Sequence, residues 1–129
     1  MKTLLTISTL VLTLMFSSPS YAEWTKVSTT VEGDTFYVDF ERIRKHDGYV
    51  YWWGVSNLLK PDKDGDLSYK LYHQGDCELF RFKFLSASTH KISMGEGKSY
   101  ALADEPQGKW EYPRPNSVSE DILKSVCSR

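Results

Sequence analysis

Cys77 and Cys127 have the most specific chemistry in this chain of 129 residues, and the sequence contains no other cysteine. In an exported small protein, an even number of cysteines favours a disulfide. In a reducing compartment the same residues would be two thiols, or one would be a nucleophile activated by a nearby histidine. The cellular compartment therefore decides which chemistry the pair carries.

The N-terminus indicates export. Lys2 precedes an apolar run, 4–16, that only Thr and Ser interrupt, and Ser20-Tyr21-Ala22 follows. A positive start, a short apolar core and a small-x-small end are typical of a secretory signal peptide. The run is shorter than the about 20 residues that a spanning helix needs. We therefore expect residues 1–22 to be a cleaved signal peptide, residues 23–129 to form one domain, and the two cysteines to be joined.

Charge and composition narrow the classes of partner. The whole chain has a formal net charge of −1, and Lys2 is lost with the signal peptide, whereas a nucleic-acid-binding domain is clearly basic. Position 23 is Glu, so the cleaved end offers no thiol for a lipid anchor. We expect an exported chain with a protein partner, without a membrane span and without bound nucleic acid.

Two sets of residues resemble metal ligands without completing a known site. Asp62-Lys63-Asp64-Gly65-Asp66-Leu67-Ser68 begins like a calcium loop. An EF-hand has Gly at its sixth position and Glu at its twelfth, where this chain has Leu67 and His73. His46, His73 and His90 are scattered in sequence without the spacing of zinc ligands. The alternative is that two of them come together in the folded protein and bind haem or a metal ion. With no nucleophile elbow or phosphate loop, we expect no enzyme, cofactor or metal site.

Basic side chains provide the first candidate for a partner-binding surface. Arg42, Arg44 and Lys45 lie close together in sequence, and Arg81 and Lys83 share one face of a later predicted strand. These residues suit anionic partners such as a polysaccharide or an acidic protein surface. A solvated edge of a nearly neutral domain is the simpler explanation.

The segment from Tyr49 to Leu58 is the strongest predicted strand and provides the second candidate. A period of two places Tyr49, Tyr51, Trp53 and Val55 on one face, and Val50, Trp52, Gly54 and Leu58 on the other. Because both faces are apolar, we expect a central strand that is covered on both sides. Exposed Tyr and Trp are also frequent interface anchors. The alternative is therefore that Tyr49, Tyr51 and Trp53 form a partner-binding or homodimer surface.

Further strands are predicted on both sides of this segment. Residues 24–30 and 35–39 flank a turn and predict a hairpin, and Ile43 is expected to anchor the next turn in the core. Residues 68–73 and 77–87 predict a second hairpin, with its turn at Gln74-Gly75-Asp76. Two weaker strands are expected within 89–103.

The C-terminus has helical periodicity. Ser117 and Glu120 fit a capping box, and the apolar side of the helix that follows consists of Val118, Ile122, Leu123, Val126 and Cys127. So short a helix is marginal alone. We expect it to dock on the strand face that Cys77 and Leu79 share, with Phe80, Phe82 and Phe84 packing elsewhere.

The order of several short motifs resembles the surface-adhesin protein E-like family of Gram-negative bacteria. The matching pieces are Trp24, Phe36-Tyr37-Val38-Asp39 with Ile43, Tyr51-Trp52-Trp53, Asp76-Cys77, Gly95-Glu96-Gly97, and Trp110 with Pro115-Asn116-Ser117 and Cys127. The resemblance implies an α+β fold, an antiparallel sheet of about six strands with a C-terminal helix tethered by a disulfide. It also implies adhesion to host proteins. Because residue 23 is not Cys, a periplasmic structural or inhibitory protein that binds another bacterial component is the alternative function.

Overall fold

The computed structural model describes residues 22–102 and 108–129, so the predicted signal peptide lies outside the described part except for Ala22. Within these residues seven antiparallel strands form one sheet: β1 (Thr25–Thr29), β2 (Thr35–Val38), β3 (Arg44–His46), β4 (Tyr49–Asn57), β5 (Ser68–Asp76), β6 (Arg81–His90) and β7 (Ser99–Ala101). Short 3-10 turns occupy Phe40–Arg42 and Ser93–Gly95, and the helix α1 spans Val118–Cys127. The predicted α+β class is confirmed.

The strands are ordered β1-β2-β4-β5-β6-β7, and β3 pairs with the half of β4 that β2 leaves free. Tyr49–Asn57 is therefore central, as predicted, because its aromatic and β-branched residues suit a pleated, packed strand. The hairpin of β1 and β2 is also confirmed. Within the described residues, no helix is long and apolar enough to cross a membrane.

The core lies between the sheet and α1. Val38, Trp52, Leu123 and Val126 are almost fully buried, and Val50 and Phe82 complete the cluster. Ile43 packs against this cluster, as predicted. The disulfide between Cys77 and Cys127 links the turn after β5 to the last residue of α1. The helix can stay folded despite its length because its apolar side is buried and its C-terminal end is covalently held.

The N-terminus of α1 is capped almost as the sequence predicts. Ser117 Oγ accepts the backbone N–H of Glu120 at 3.2 Å. The side chain of Glu120 reaches back, but it accepts from the backbone N–H of Asn116 at 3.3 Å rather than from the capping serine. Both contacts satisfy donors at the start of the helix that would otherwise lack partners.

The predicted turn at Gln74-Gly75-Asp76 is wrong, because β5 continues through Asp76 and the chain turns at residues 77–80. Gly75 is required by packing: a Cβ there would lie 2.7 Å from Cζ3 of Trp52 and 3.1 Å from Cδ1 of Leu123. The Asp76 carboxylate holds the actual turn by accepting the backbone N–H groups of Glu78 and Leu79, each at 3.1 Å.

This turn also reverses the expected docking face of α1. Phe80 has a positive φ of 52°, so the strand alternation assumed from Cys77 onward is interrupted. Phe82 is buried in the core beneath the helix and Phe80 packs against it, whereas Leu79 is 54% exposed. Phe84 also lies on the helix side, lining a cavity there. The prediction that the phenylalanines pack away from the helix is therefore wrong.

Candidate binding surface

Among residues 22–102 and 108–129, few side chains cover the side of the sheet that faces away from α1. We call it the open face and define it by the outward side chains of β3 to β6 between two boundaries. At one end the 3-10 turn Ser93–Gly95 lies over Val55, since a Cβ on Gly95 would be 3.3 Å from Val55 Cγ2. At the other end Trp110 packs beside Tyr49, with ring centroids 5.7 Å apart. The prediction that β4 is covered on both sides is wrong for the stretch between these boundaries, where Tyr51 and Trp53 are half-buried.

Strand register places four polar and aromatic side chains of the open face in one row across the sheet. Arg44 pairs with Tyr51, Tyr51 pairs with Gln74, and Gln74 pairs with Lys83. Side chains of directly paired residues lie on the same face and next to one another. The row therefore presents a cation, a ring, an amide and a second cation in that order.

A second group of rings continues the surface along β4 and β5. Trp53 pairs with Tyr72, and their ring centroids lie 4.7 Å apart. Tyr72 also stacks on Tyr51 with centroids 6.2 Å apart and an interplanar angle of 24°. The three rings form a continuous, partly exposed aromatic surface of the kind that favours contact with a partner.

The cations of the open face rest on these rings. The Arg44 guanidinium lies 5.2 Å from the Tyr51 ring centroid, and Lys70 Nζ lies 5.2 Å from the Trp53 centroid. Lys83 Nζ lies 4.6 Å from the centroid of Trp110. Attraction of a cation to an aromatic face is worth about 0.5–1 kcal/mol at exposed sites, enough to bias where these flexible side chains point.

Arg81 has a different role from the other cations. Its Nε lies 3.0 Å from Oδ2 of Asp76, and its guanidinium also covers the Trp110 ring at 4.3 Å. The backbone N–H of Leu79 lowers the pKa of Asp76, and Arg81 adds to that effect. Arg81 thus neutralises a carboxylate at the edge of the face and anchors Trp110.

The structure brings together most of the predicted partner-binding residues, but not all. Tyr49, Tyr51, Trp53, Arg44, Arg81 and Lys83 belong to the open face. Arg42 lies on the 3-10 turn, where its Nε is 3.4 Å from Asp39 Oδ2. Lys45 alternates with Arg44 on β3 and points the other way, donating to the carbonyl oxygen of Arg129. The predicted basic cluster is therefore divided between two faces, because β3 is a strand with a period of two.

Sequence reasoning missed Lys70, Tyr72 and Gln74, which alternate on β5 and supply the middle of the face. The alternation itself was visible in the sequence. What the sequence did not supply was the pairing register with β4, which places Tyr72 opposite Trp53 and Gln74 opposite Tyr51.

The family model of surface-adhesin protein E matches residues 24–128. The chain belongs to the surface-adhesin protein E family. No curated protein matched the sequence.

The fold is similar to solved structures of protein E from Haemophilus influenzae. One, a second crystal form, has a TM-score of 0.66 and 15% identity, with 84% of this chain and 89% of that chain covered. Another structure of the H. influenzae protein has a TM-score of 0.65 and 15% identity, covering 84% and 86%. A structure of protein E from a non-typeable strain has a TM-score of 0.62 and 15% identity, covering 86% and 79%. At this identity the likeness shows the shared fold.

On the helix side, this family member has a cavity of about 90 Å³ lined by Phe36, Leu71, His73, Phe84, Val118 and Ile122, among others. His73 stacks on Trp52, with ring centroids 4.7 Å apart and nearly parallel planes. Burial lowers the pKa of His73 to about 4, so the ring is neutral at pH 7. An imidazole in this setting is a packed core residue.

The side chain of Lys91 binds the acidic loop at residues 62–66. Carboxylate oxygens of Asp62, Asp64 and Asp66 lie within 4.8 Å of one another. Lys91 Nζ lies 2.9 Å from Asp66 Oδ1 and donates to the Asp64 carbonyl oxygen at 2.7 Å. The hydroxyl of Tyr69 donates to Asp62 and lowers the pKa of that carboxyl, while Asp62 raises the pKa of Tyr69 to about 12. The loop is thus a hydrogen-bonded turn that joins β4 to β5.

The three histidines lie apart. His46 is exposed beside Asp47, with Nε2 3.1 Å from the Asp47 carboxylate. His90 is buried at the opposite end of the open face, bonded to Ser88 Oγ at 2.9 Å and to the Glu96 carbonyl oxygen at 3.1 Å. His73 lies on the other side of the sheet. The three histidines thus lie in three different parts of the described fold.

Proposed function

We propose that this protein is an exported, non-enzymatic binding module of the adhesin type, which contacts a host or extracellular protein through the open face. Residues 1–22 direct export in this proposal, and residues 23–129 are the mature chain. Membership of the surface-adhesin protein E family supports an adhesive role outside the cytoplasm of a Gram-negative bacterium.

The main support for the proposal is that the two sides of the sheet differ in what lies on them. One side holds α1 and the core, including Trp52 and Leu123. The other side leaves Tyr51, Trp53 and Tyr72 half-buried and surrounds them with cations. Aromatic residues and arginine are the residues that most often carry binding energy at interfaces.

The experiment measures whether the mature chain binds to host cells or to extracellular matrix. Purified residues 23–129 would be applied to cultured epithelial cells and to wells coated with basement-membrane matrix. We expect saturable retention on at least one of them, and no retention on either would contradict the proposal. Sedimentation of the same preparation shows whether a homodimer forms through the open face, in which case retention should follow the monomer concentration and rise less steeply than the total protein concentration.

A second candidate function is a periplasmic structural or inhibitory protein that binds another bacterial component. Glu23 favours it, because a chain that begins there after cleavage has no cysteine for a lipid anchor. Antibody labelling of intact native cells separates the two functions. Labelling without permeabilisation supports the adhesin, whereas labelling only after the outer membrane is opened supports the periplasmic protein.

A further inference from the structure

We propose that the open face binds a polyanionic glycan, a chain of sulfated or carboxylated sugar rings of the kind carried by extracellular proteins. The chain would lie across the strands along the row Arg44–Tyr51–Gln74–Lys83. This inference rests on the proposed function, because it assigns a chemical class to the part of the partner that meets the open face.

The row has the length and order of groups that such a chain requires. Arg44 on β3 and Lys83 on β6 are separated by β4 and β5, so three inter-strand spacings of about 4.8 Å place their Cα atoms roughly 14 Å apart. Between them, Tyr51 offers a ring face and Gln74 offers an amide. A linear ligand with spaced anionic groups can therefore meet both cations while its rings lie over the middle of the row.

Charge on the open face is opposite to that of the whole chain. The net charge of the chain is −1. In residues 22–102 and 108–129, no carboxylate lies within ion-pair distance of Arg44, Lys70 or Lys83. Asp76, at the edge of the face, is paired with Arg81. A local positive surface on a slightly acidic protein selects an anionic partner and raises its association rate.

The rings beneath the cations prepare them for binding. Arg44 rests on Tyr51, Lys70 on Trp53 and Lys83 on Trp110, at 5.2, 5.2 and 4.6 Å. A side chain already confined loses less conformational entropy when it meets its ligand. The planar guanidinium of Arg44, which is exposed, can in addition bind two oxygens of a sulfate or carboxylate group.

The shape of the surface favours a glycan over an acidic peptide. An extended peptide normally binds a sheet at a strand edge, where backbone groups supply hydrogen bonds. Laid on the open face, its N–H and C=O groups would meet mainly rings, and backbone groups left without partners are costly. A sugar ring carries its hydroxyl and anionic groups around its rim, where water and the flanking cations can reach them, and its C–H face can pack on the electron-rich faces of Trp53 and Tyr72.

The test uses a heparin-derived octasaccharide and isothermal titration calorimetry with the mature chain. We expect binding that weakens as sodium chloride is raised, because salt screens exposed charges. Arg44→Gln/Lys83→Gln should weaken binding by about tenfold or more, a difference in binding free energy within the reach of two charged contacts. The matched control Lys60→Gln/Lys63→Gln removes the same charge from the β4–β5 loop and should change affinity by less than about twofold.

Two further arms make each outcome decisive. Tyr51→Leu keeps an apolar side chain but removes the ring, and should weaken octasaccharide binding while the circular dichroism spectrum shows an intact fold. Equal weakening in the loop control would contradict the row as the site and indicate general charge attraction. Poly-glutamate that binds as tightly, with the same dependence on Arg44 and Lys83, would indicate an acidic protein and overturn the glycan.

Failure of this inference can be told apart from failure of the proposed function. If the mature chain is retained on epithelial cells but does not bind the octasaccharide, and enzymatic removal of surface glycans leaves retention unchanged, the glycan is wrong and the adhesin role stands. If the chain is retained neither on cells nor on matrix, the proposed function fails as well.

Discussion

Removal of the disulfide tests how the helix side of the sheet is held together. The bond joins residues 50 positions apart in sequence. Closing a loop of that length lowers the entropy of the unfolded chain, which corresponds to about 4 kcal/mol of stability at 25 °C in the chain-entropy model. A domain of this size has a total stability of about 5–15 kcal/mol, so the bond is a large part of the total. The double substitution Cys77→Ser/Cys127→Ser removes the bond and leaves no unpaired thiol.

The native state should also respond, because α1 ends at the bond. Its ten residues are too few for a stable isolated helix, but Leu123 and Val126 are fully buried against the sheet. We therefore expect α1 to stay docked as far as Val126, and fraying to be confined to the residues from Cys127 onward, which lose their covalent link. A loss of about 4 kcal/mol should lower the melting temperature by roughly 20 °C for a domain of about 100 residues.

Urea denaturation followed by tryptophan fluorescence measures the change in the free energy of unfolding, and amide hydrogen exchange reports fraying in α1. The wild-type chain in dithiothreitol provides the matched comparison and should reproduce the variant. A loss below about 1 kcal/mol in both preparations would refute the reasoning, because closing this loop would then not lower the entropy of the unfolded chain by the amount on which the prediction rests.

Two further perturbations test the helix side. Burial lowers the pKa of His73 to about 4, so between pH 7 and pH 5 the unfolded chain binds a proton that the folded chain does not. The free energy of unfolding should fall by about 2 kcal/mol over that interval, and His73→Gln should remove that part of the pH dependence in urea titrations. Gly75→Ala should destabilise the protein by about 1–3 kcal/mol, because overpacking forces buried neighbours to move and the new Cβ would start 2.7 Å from Trp52. An unchanged urea midpoint for Gly75→Ala would contradict the close approach of β5 to Trp52.

Sequence reasoning succeeded for features that depend on residues close together in the chain or on composition alone. The capping box before Val118 and the cysteine pair in an exported chain were readable because short-range chemistry determines them. Gly75 misled the prediction because glycine favours turns by its backbone freedom. In this fold the same residue is needed for its missing side chain, next to Trp52 and Leu123.

The candidate binding surface could be predicted only in part from the sequence. Alternation on β4 correctly separated Tyr51 and Trp53 from Trp52, but alternation does not say which face receives the helix. That choice depends on long-range packing of Leu123 and Val126. The row from Arg44 to Lys83 depends on three strand registers at once, which residue types alone do not determine.

Separate roles for the two sides of the sheet allow binding residues to change without loss of the fold. Side chains of the open face such as Arg44 and Lys83 do not contribute to the core cluster under α1. Surface substitutions away from cores and caps usually change stability by less than about 0.5 kcal/mol. We therefore expect variants of these two residues to fold normally, which makes them suitable probes of binding.

Retention of mature protein on epithelial cells, compared among wild type, Arg44→Gln/Lys83→Gln and Lys60→Gln/Lys63→Gln, tests most directly whether the open face makes the contact. We predict that the first variant loses most of its retention while its urea midpoint is unchanged, and that the second behaves like wild type. Equal retention of all three proteins would contradict the assignment of binding to the open face.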